Sequence, residues 1–400
     1  MKACLTIAAS LFVLLLLLPA IHSLTGWPPE LPLQGAESEV PAPGVGWRAW
    51  WQGTLQPDID AWLNRHIGMR GRWVRLANQI NYSLFRELPR GEGTKVVLGR
   101  DGFLFEKVYV DEFRRAGQSP ETTLRKASAD VRRLQDRLAA DGIAFLLVIA
   151  PSKAEIYPEY LPEEADAAGR SLRRSNYENV IGFLRQDGVN LVDAHELFLE
   201  WKRAEGTPLL FAHSGTHWNY YGAARVVEQI LCRLRELTGK DLPGLAVVGS
   251  ETNRNVVGPD NDLGDLANLW TRQQLVGPQI HPVREKLPGT YPPDILFICD
   301  SFGTQLTQLM TRSKLYRQQD TYFYNKRHFY WPRPRASHLD PDSPDPELLP
   351  ELQGRDAVVI VEVEYFLPGI GFGFVDELLK AYDQLDSARA GEESKAIQAP

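Results

Sequence analysis

Hydrophobic positions are distributed along this chain in three successive patterns. After Lys2, residues 3–24 form an almost uninterrupted apolar run, long enough at about 1.5 Å per helical residue to cross a hydrocarbon layer of about 30 Å. Residues 58–66 and 71–85 then carry apolar positions three and four apart, the spacing of amphipathic helices. From residue 121 helical periodicity alternates with short continuous apolar stretches, predicting helices over 122–140, 171–186, 220–237 and 375–385 and strands over 144–150, 189–193, 295–299, 321–324 and 357–362. Strands of that kind, separated by helices, belong to a mainly parallel sheet covered on both faces, so the expected fold is α/β with three layers. Between the two regimes, residues 95–106 place an Arg-Asp-Gly turn between apolar stretches and predict a hairpin.

Breaker residues divide the chain further. Residues 27–46 are rich in Pro, Gly and acidic side chains and read as an extended tether, while the small, polar stretch 387–400 reads as a disordered tail. The expected organisation is an anchor or signal sequence over 1–26, a tether over 27–46, one folded domain over 47–386 and the tail; no internal repeat is evident. Ile21 and Ser23 make a poor signal-peptidase site, which favours an uncleaved anchor, and Lys2 ahead of the apolar run keeps the N-terminus in the cytoplasm with the body outside.

Composition changes this picture only by exclusion. With 44% hydrophobic and 24% charged residues the chain is an ordinary globular one, and a formal net charge of −7 gives no basic field for nucleic acid. Cys4, Cys232 and Cys299 match no metal-ligand spacing; Cys4 lacks a lipoprotein-like processing site, and the other two read as buried free thiols.

Two segments carry candidate chemistry. The strand over 295–299 runs into Asp300-Ser301-Phe302-Gly303 and then a helix-like segment, placing Ser301 at a strand-to-helix turn whose first free N–H groups could stabilise an oxyanion. A serine there is equally suited to capping the helix. The second segment, F-A-H-S-G-T-H-W-N-Y-Y-G-A over 211–223, holds His217 in a polar loop ahead of a helix, and a histidine is the side chain suited to take a serine proton near neutral pH. By residue type alone His213 competes with it, and a packing role competes with both.

Taken in order, these blocks resemble the SGNH hydrolase-like acetyltransferases of alginate and related exopolysaccharides, the AlgJ and AlgX type. The resemblance is carried by C-D-S-F at 299–302, T-H-W-N-Y-Y-G-A at 216–223, V-V-L-G-R-D-G-F-L-F at 96–105, I-A-P-S-K-A-E-I-Y-P at 149–158, G-D-L-A at 264–267 and V-E-V-E at 361–364, and it extends from about Trp50 onwards. It implies an SGNH hydrolase-like three-layer fold with circularly permuted motif order, His217 preceding Ser301. It further implies a serine acetyl-enzyme that passes acetyl to a polysaccharide hydroxyl, a membrane-bound O-acyltransferase as acetyl donor, a periplasmic location at the inner membrane, and no cofactor or metal. The layout is closer to the AlgJ type, with no appended carbohydrate-binding module expected after the last helix.

One position departs from the family pattern. The family's Asp-x-His places its triad aspartate at position 215, where this chain has Gly215. Substitutes for that carboxylate are a backbone carbonyl near Gly215, the Ser214 hydroxyl or Asp193, while Asp300 reads as a turn-stabilising residue. If none substitutes, a Gly215→Asp change is expected to leave activity unchanged or raise it; if an acid from elsewhere already serves, the added carboxylate is expected to lower it. Asn325 is the candidate oxyanion side chain, with a turn role as its alternative, and Tyr322, Tyr324, Tyr330 and Trp331 could stack on sugar rings or belong to the core. A secreted deacetylase using the same residues, and a non-catalytic assembly protein of a polysaccharide export complex, are the competing functions.

Overall fold

The computed structural model describes residues 2–35, 39–44, 46–88, 95–114, 117–163, 165, 174–253, 258–271, 277, 279–331, 336–338 and 348–398. The chain forms two compact units, one made of residues 1–98 and 263–276, the other of 99–262 and 277–400, so the contacts divide at a different place from the expected boundary at 47.

The first unit contains helices α1 (Lys2–Thr25), α2 (Trp47–Trp51), α3 (Leu55–His66) and α4 (Arg70–Phe85). Helix α1 is long and apolar enough to cross a membrane. The expected tether is not a free strand of chain. Glu30 accepts the Gly71 amide at 2.9 Å, Arg72 donates to the Pro29 carbonyl at 2.8 Å, and Arg75 donates to the carbonyls of Leu31 and Pro32 at 2.9 and 2.7 Å. A proline-rich segment has few N–H groups of its own but leaves its carbonyls free, and the α4 arginines use them.

In the second unit the seven-stranded sheet has the order β10-β9-β8-β7-β11-β3-β4. Its members are β3 (Ala144–Ala150), β4 (Leu191–Asp193), β7 (Asp294–Cys299), β8 (Gln318–Phe323), β9 (Arg327–Trp331), β10 (Ala336–His338) and β11 (Ala357–Val363). The five from β8 to β4 are parallel, and β9 and β10 are antiparallel additions at one edge. The short strand β2 (Leu104–Glu106) follows the Arg-Asp-Gly turn, the strand before that turn, β1 (Val96–Leu98), counting with the first unit; β5 (Gly244–Asn253) pairs antiparallel with β6 (Gln279–Leu287), an arm the sequence patterns did not predict.

Successive strand residues point to opposite faces, so each apolar strand feeds two cores. Phe145, Leu147, Ile149, Leu296, Ile298, Val358 and Ile360 join one cluster with Leu124, Val131, Leu134 and Leu138 of a helix (Glu121–Ala140), Val180 and Leu184 of a second (Asn176–Gln186) and Phe374, Leu378 and Tyr382 of a third (Phe374–Gln398). The second helix starts after a capping box formed by Ser175 and Glu178, and residues 171–173 of its expected start lie outside the described residues. The third helix runs through the expected disordered tail; Ala, Glu, Lys, Arg and Gln dominate that stretch, and their helix propensity suffices to continue a helix already nucleated by packing. On the helix Tyr220–Thr238, Val226, Val227, Ile230, Leu231 and Leu234 are buried, whereas Cys232 faces solvent, contrary to the expected buried thiol; Cys299 is buried. The sheet thus brings the ends of β3, β4, β7, β8 and β11 to one carboxyl edge.

Candidate active site

Ser301 sits just beyond the end of β7, on a turn that Asp300 holds in place. The Asp300 carboxylate is fully buried and accepts the amides of Phe302 at 2.8 Å and Val363 at 2.7 Å, tying the turn to the end of β11. Burial pushes its pKa up to about 6, and the amides pull in the opposite direction. The next helix (Gly303–Ser313) starts so close to the strand that a Cβ on Gly303 would lie 2.5 Å from Cβ and Sγ of Cys299, which only glycine avoids. Ser301 is left half-buried at the rim.

His217 is delivered by a second loop, fastened to the first by Trp218. The fully buried indole donates from Nε1 to the Phe302 carbonyl at 3.0 Å, and Gln305 donates to the Trp218 carbonyl at 3.2 Å. Asn219 caps the helix that follows by accepting the Gly222 amide at 2.9 Å. As a result His217 Nε2 lies 2.7 Å from Ser301 Oγ, with the imidazole edge-on to the Phe302 ring at 4.8 Å.

Behind the imidazole stands Asp262, which the sequence reasoning missed. Its Oδ2 is 2.8 Å from His217 Nδ1, a close approach lying off the axis of an aligned N–H···O bond, and its Oδ1 accepts the Thr216 amide at 2.7 Å. Gly215 explains why the acid sits there. A Cβ at position 215 would lie 2.8 Å from the Pro259 carbonyl oxygen and 3.1 Å from Asp260 Cα, so glycine makes the space that the segment leading to Asp262 occupies. The other proposed substitutes are committed elsewhere. Ser214 donates to the Asp260 carbonyl at 3.2 Å, and Asp193 accepts from the Tyr177 hydroxyl and Arg185, each at 2.9 Å, and caps its own helix through the Glu196 amide at 3.2 Å. His213 packs its ring against Phe103 at 4.1 Å and does not serve Ser301.

Asn325 is not aimed at the serine. It has a left-handed φ of 52° in the tight turn between β8 and β9, next to Tyr324 at 51°, and its amide donates to Glu377 at 3.1 Å. Its neighbour takes the expected place instead: the Tyr324 hydroxyl donates to Ser301 Oγ at 3.2 Å and accepts the Ser301 amide at 3.4 Å. Tyr322 is fully buried and stacked on His328 with centroids 3.3 Å apart, a core residue; the side chains of Tyr330 and Trp331 lie outside the described residues. The helix N–H groups expected to be free are also engaged, since Gly303 donates to the Asp300 carbonyl at 3.1 Å and Thr304 to that of Ser301 at 3.2 Å. Among the described residues, the Ser301 amide and the Tyr324 hydroxyl are bonded to each other at 3.4 Å beside Ser301 Oγ, the place where an acyl oxygen would develop charge.

A hydroxyl, an imidazole and a carboxylate thus follow one another at 2.7 and 2.8 Å, the order of groups that nucleophilic acyl transfer uses. A family model described as an SGNH hydrolase-like domain of the acetyltransferase AlgX matches residues 96–294, about half of the chain. Probable alginate O-acetylase AlgJ of Pseudomonas aeruginosa is 29% identical over 191 residues, 48% of this chain and 45% of that protein. The namesake protein of Pseudomonas putida is 31% identical over 163 residues, covering 40% and 39% respectively. The chain thus spans less than half the length of these curated relatives. Among solved structures, the O-acetyltransferase domain of Pseudomonas putida AlgJ matches with a TM-score of 0.42 and 22% identity over 68% of this chain and 92% of that one. Pseudomonas aeruginosa AlgX matches with a TM-score of 0.45 and 19% identity over 72% and 67%. The chain belongs to the SGNH hydrolase-like acetyltransferase family of the AlgJ and AlgX type.

Proposed function

We propose that the protein is a serine O-acetyltransferase that acetylates hydroxyls of an extracellular polysaccharide in the periplasm, held at the inner membrane by α1 and supplied with acetyl by a membrane-bound O-acyltransferase. The observation that carries this reading is the 2.7 Å approach of Ser301 Oγ to His217 Nε2 with Asp262 behind the ring. As Ser301 Oγ bonds to the acyl carbon of the donor, its proton passes to Nε2; the imidazolium then protonates the leaving group, and acetyl remains on Ser301 as an ester. In the second half a sugar hydroxyl gives its proton to Nε2 and bonds to the acetyl carbon, and Ser301 Oγ recovers the proton. Asp262 fixes the ring and stabilises its charged form, while the Ser301 amide and the Tyr324 hydroxyl face the transient oxyanion.

The vacancy at position 215 was the ground for a non-catalytic role, and Asp262 supplies the carboxylate that position lacks. A deacetylase would use the same residues with water as acceptor. Acetyl from an activated ester should be trapped on the full-length protein and absent from S301A. Adding an unacetylated polysaccharide should then move that acetyl to sugar faster than acetate appears. Release of acetate at an unchanged rate with the acceptor present would favour the esterase, and labelling of S301A equal to wild type would end the serine mechanism.

A further inference from the structure

Lys153 opens a short helix (Lys153–Ile156) directly after β3 and is 2% exposed. Its Nζ lies 2.8 Å from the carbonyl oxygen of Leu104, 2.5 Å from that of Ala212, 2.8 Å from that of His213 and 2.9 Å from that of Gly215. Three of these four oxygens belong to the loop that ends at His217. An ammonium has three N–H donors and no acceptor, so it serves this cage and holds the fourth oxygen by charge and dipole. The start of the lysine's helix is held as well: the Ser152 amide donates to Glu364 at 2.8 Å, and Ser152 Oγ caps the helix by accepting the Glu155 amide.

We propose that Lys153 is a positioning residue for acyl transfer: by drawing in the carbonyls of Ala212, His213 and Gly215, its ammonium sets His217 at the distance from Ser301 that proton transfer requires. The inference rests on the serine mechanism proposed above. A buried ammonium is a costly way to hold a loop, and an apolar or acceptor side chain could not satisfy these carbonyls at all. Glycine at 215 leaves that point of the loop without a side chain of its own to anchor it. The groups facing Nζ are the rings of Phe103 and Phe105 at 5.3 and 5.4 Å, the His213 ring, and the carboxylates of Asp260 and Asp262. Burial draws the Lys153 pKa down to about 7, against the two carboxylates, and the cage exists in full only while the nitrogen is protonated.

The test compares K153M and K153Q with L138A, which opens a cavity in the far core without touching the loop. Acylation of full-length protein by p-nitrophenyl acetate is followed together with thermal melting. K153M is expected to acylate at least tenfold more slowly at unchanged KM, K153Q to fall between it and wild type, and L138A to melt earlier while acylating within about twofold of wild type. A folded K153M with wild-type kcat, or an L138A slowed as much as K153M, overturns the inference. Wild type labelling no faster than S301A would instead overturn the serine mechanism itself, and this inference with it. Should neither lysine variant fold, nitrogen-15 lysine spectra of the wild type decide: the acylation rate is expected to fall at the pH where the Lys153 ammonium signal is lost, and a rate that stays flat through that loss overturns the proposal.

Discussion

Asp262 contacts His217 twice over, once through space and once through the backbone. One carboxylate oxygen stands 2.8 Å from Nδ1 while the other holds the amide of Thr216, the residue before the histidine, at 2.7 Å. The acid therefore stands beside the ring and holds the peptide that bears it. Replacing Asp262 by Asn keeps an oxygen for the Thr216 amide but removes the charge behind the imidazole. D262N is expected to lose up to about 10⁴-fold in the rate of Ser301 acylation with little change in melting temperature, the loss seen when a triad aspartate is neutralised in a serine protease. Burst kinetics with an activated ester check this, and a D262N burst at wild-type speed would remove Asp262 from the mechanism.

Restoring the family's aspartate at position 215 is expected to do harm. Its Cβ would meet the Pro259 carbonyl at 2.8 Å and Asp260 Cα at 3.1 Å, adding a like charge beside the segment that carries Asp260 and Asp262. G215D should be destabilised by about 1–3 kcal/mol, as for other overpacked sites, and slowed at least tenfold. The double variant G215D/D262N should not recover. Either protein acylating faster than its parent would show that position 215 can still hold the orienting acid.

Tyr324 gives a separate handle on the oxyanion. Y324F deletes the hydroxyl near Ser301 and leaves the ring in contact with Phe366 and Phe372. Loss of one such donor costs about 10²–10³ in kcat with KM held. An unchanged kcat in Y324F, measured beside S301A, would mean that the hydroxyl only packs.

Glu362 makes stability depend on pH. Its carboxyl is fully buried, accepts the Gly371 amide at 2.9 Å and has its pKa pushed up to about 8, chiefly by burial. The folded state therefore keeps a proton that the unfolded chain releases above about 4.5. That contribution is complete below about pH 4.5 and is lost as pH rises through about 8, at up to about 1.4 kcal/mol per pH unit. E362Q keeps an acceptor for Gly371 and cannot ionise, so its denaturation midpoint should fall less than that of wild type between pH 5 and 8. Parallel curves for the two proteins would show that Glu362 does not titrate in this range.

Local pattern sufficed for what local pattern controls. The strands over 144–150, 295–299 and 357–362 were legible because burial on both faces leaves a continuous apolar run, and Ser301 and His217 were legible because each lies at the junction of such a run or helix with a polar turn. Asp262 was not, since nothing in its own neighbourhood distinguishes it from Asp260 or Asp265; only the fold brings it to His217. Its one sequence signal was the Gly264–Ala267 block two residues on, which marked the segment without naming the acid. Asn325 and Tyr324 show the opposite error. In a tight turn with two left-handed residues, adjacent side chains diverge, and residue type favoured the wrong neighbour. The β5 and β6 arm went unseen because its exposed alternating residues carry no core signature.

The ends of β7 and β8 supply Ser301 and Tyr324, segments outside the sheet supply His217 and Asp262, and the strands themselves supply the core. Such a division of labour lets a catalytic group change its address along the chain as long as its address in space is kept. Here the glycine at 215 leaves the space, and the aspartate at 262 brings a carboxylate to the same imidazole. A relative judged only by the residue two places before its histidine would be counted inert when its acid had merely moved house.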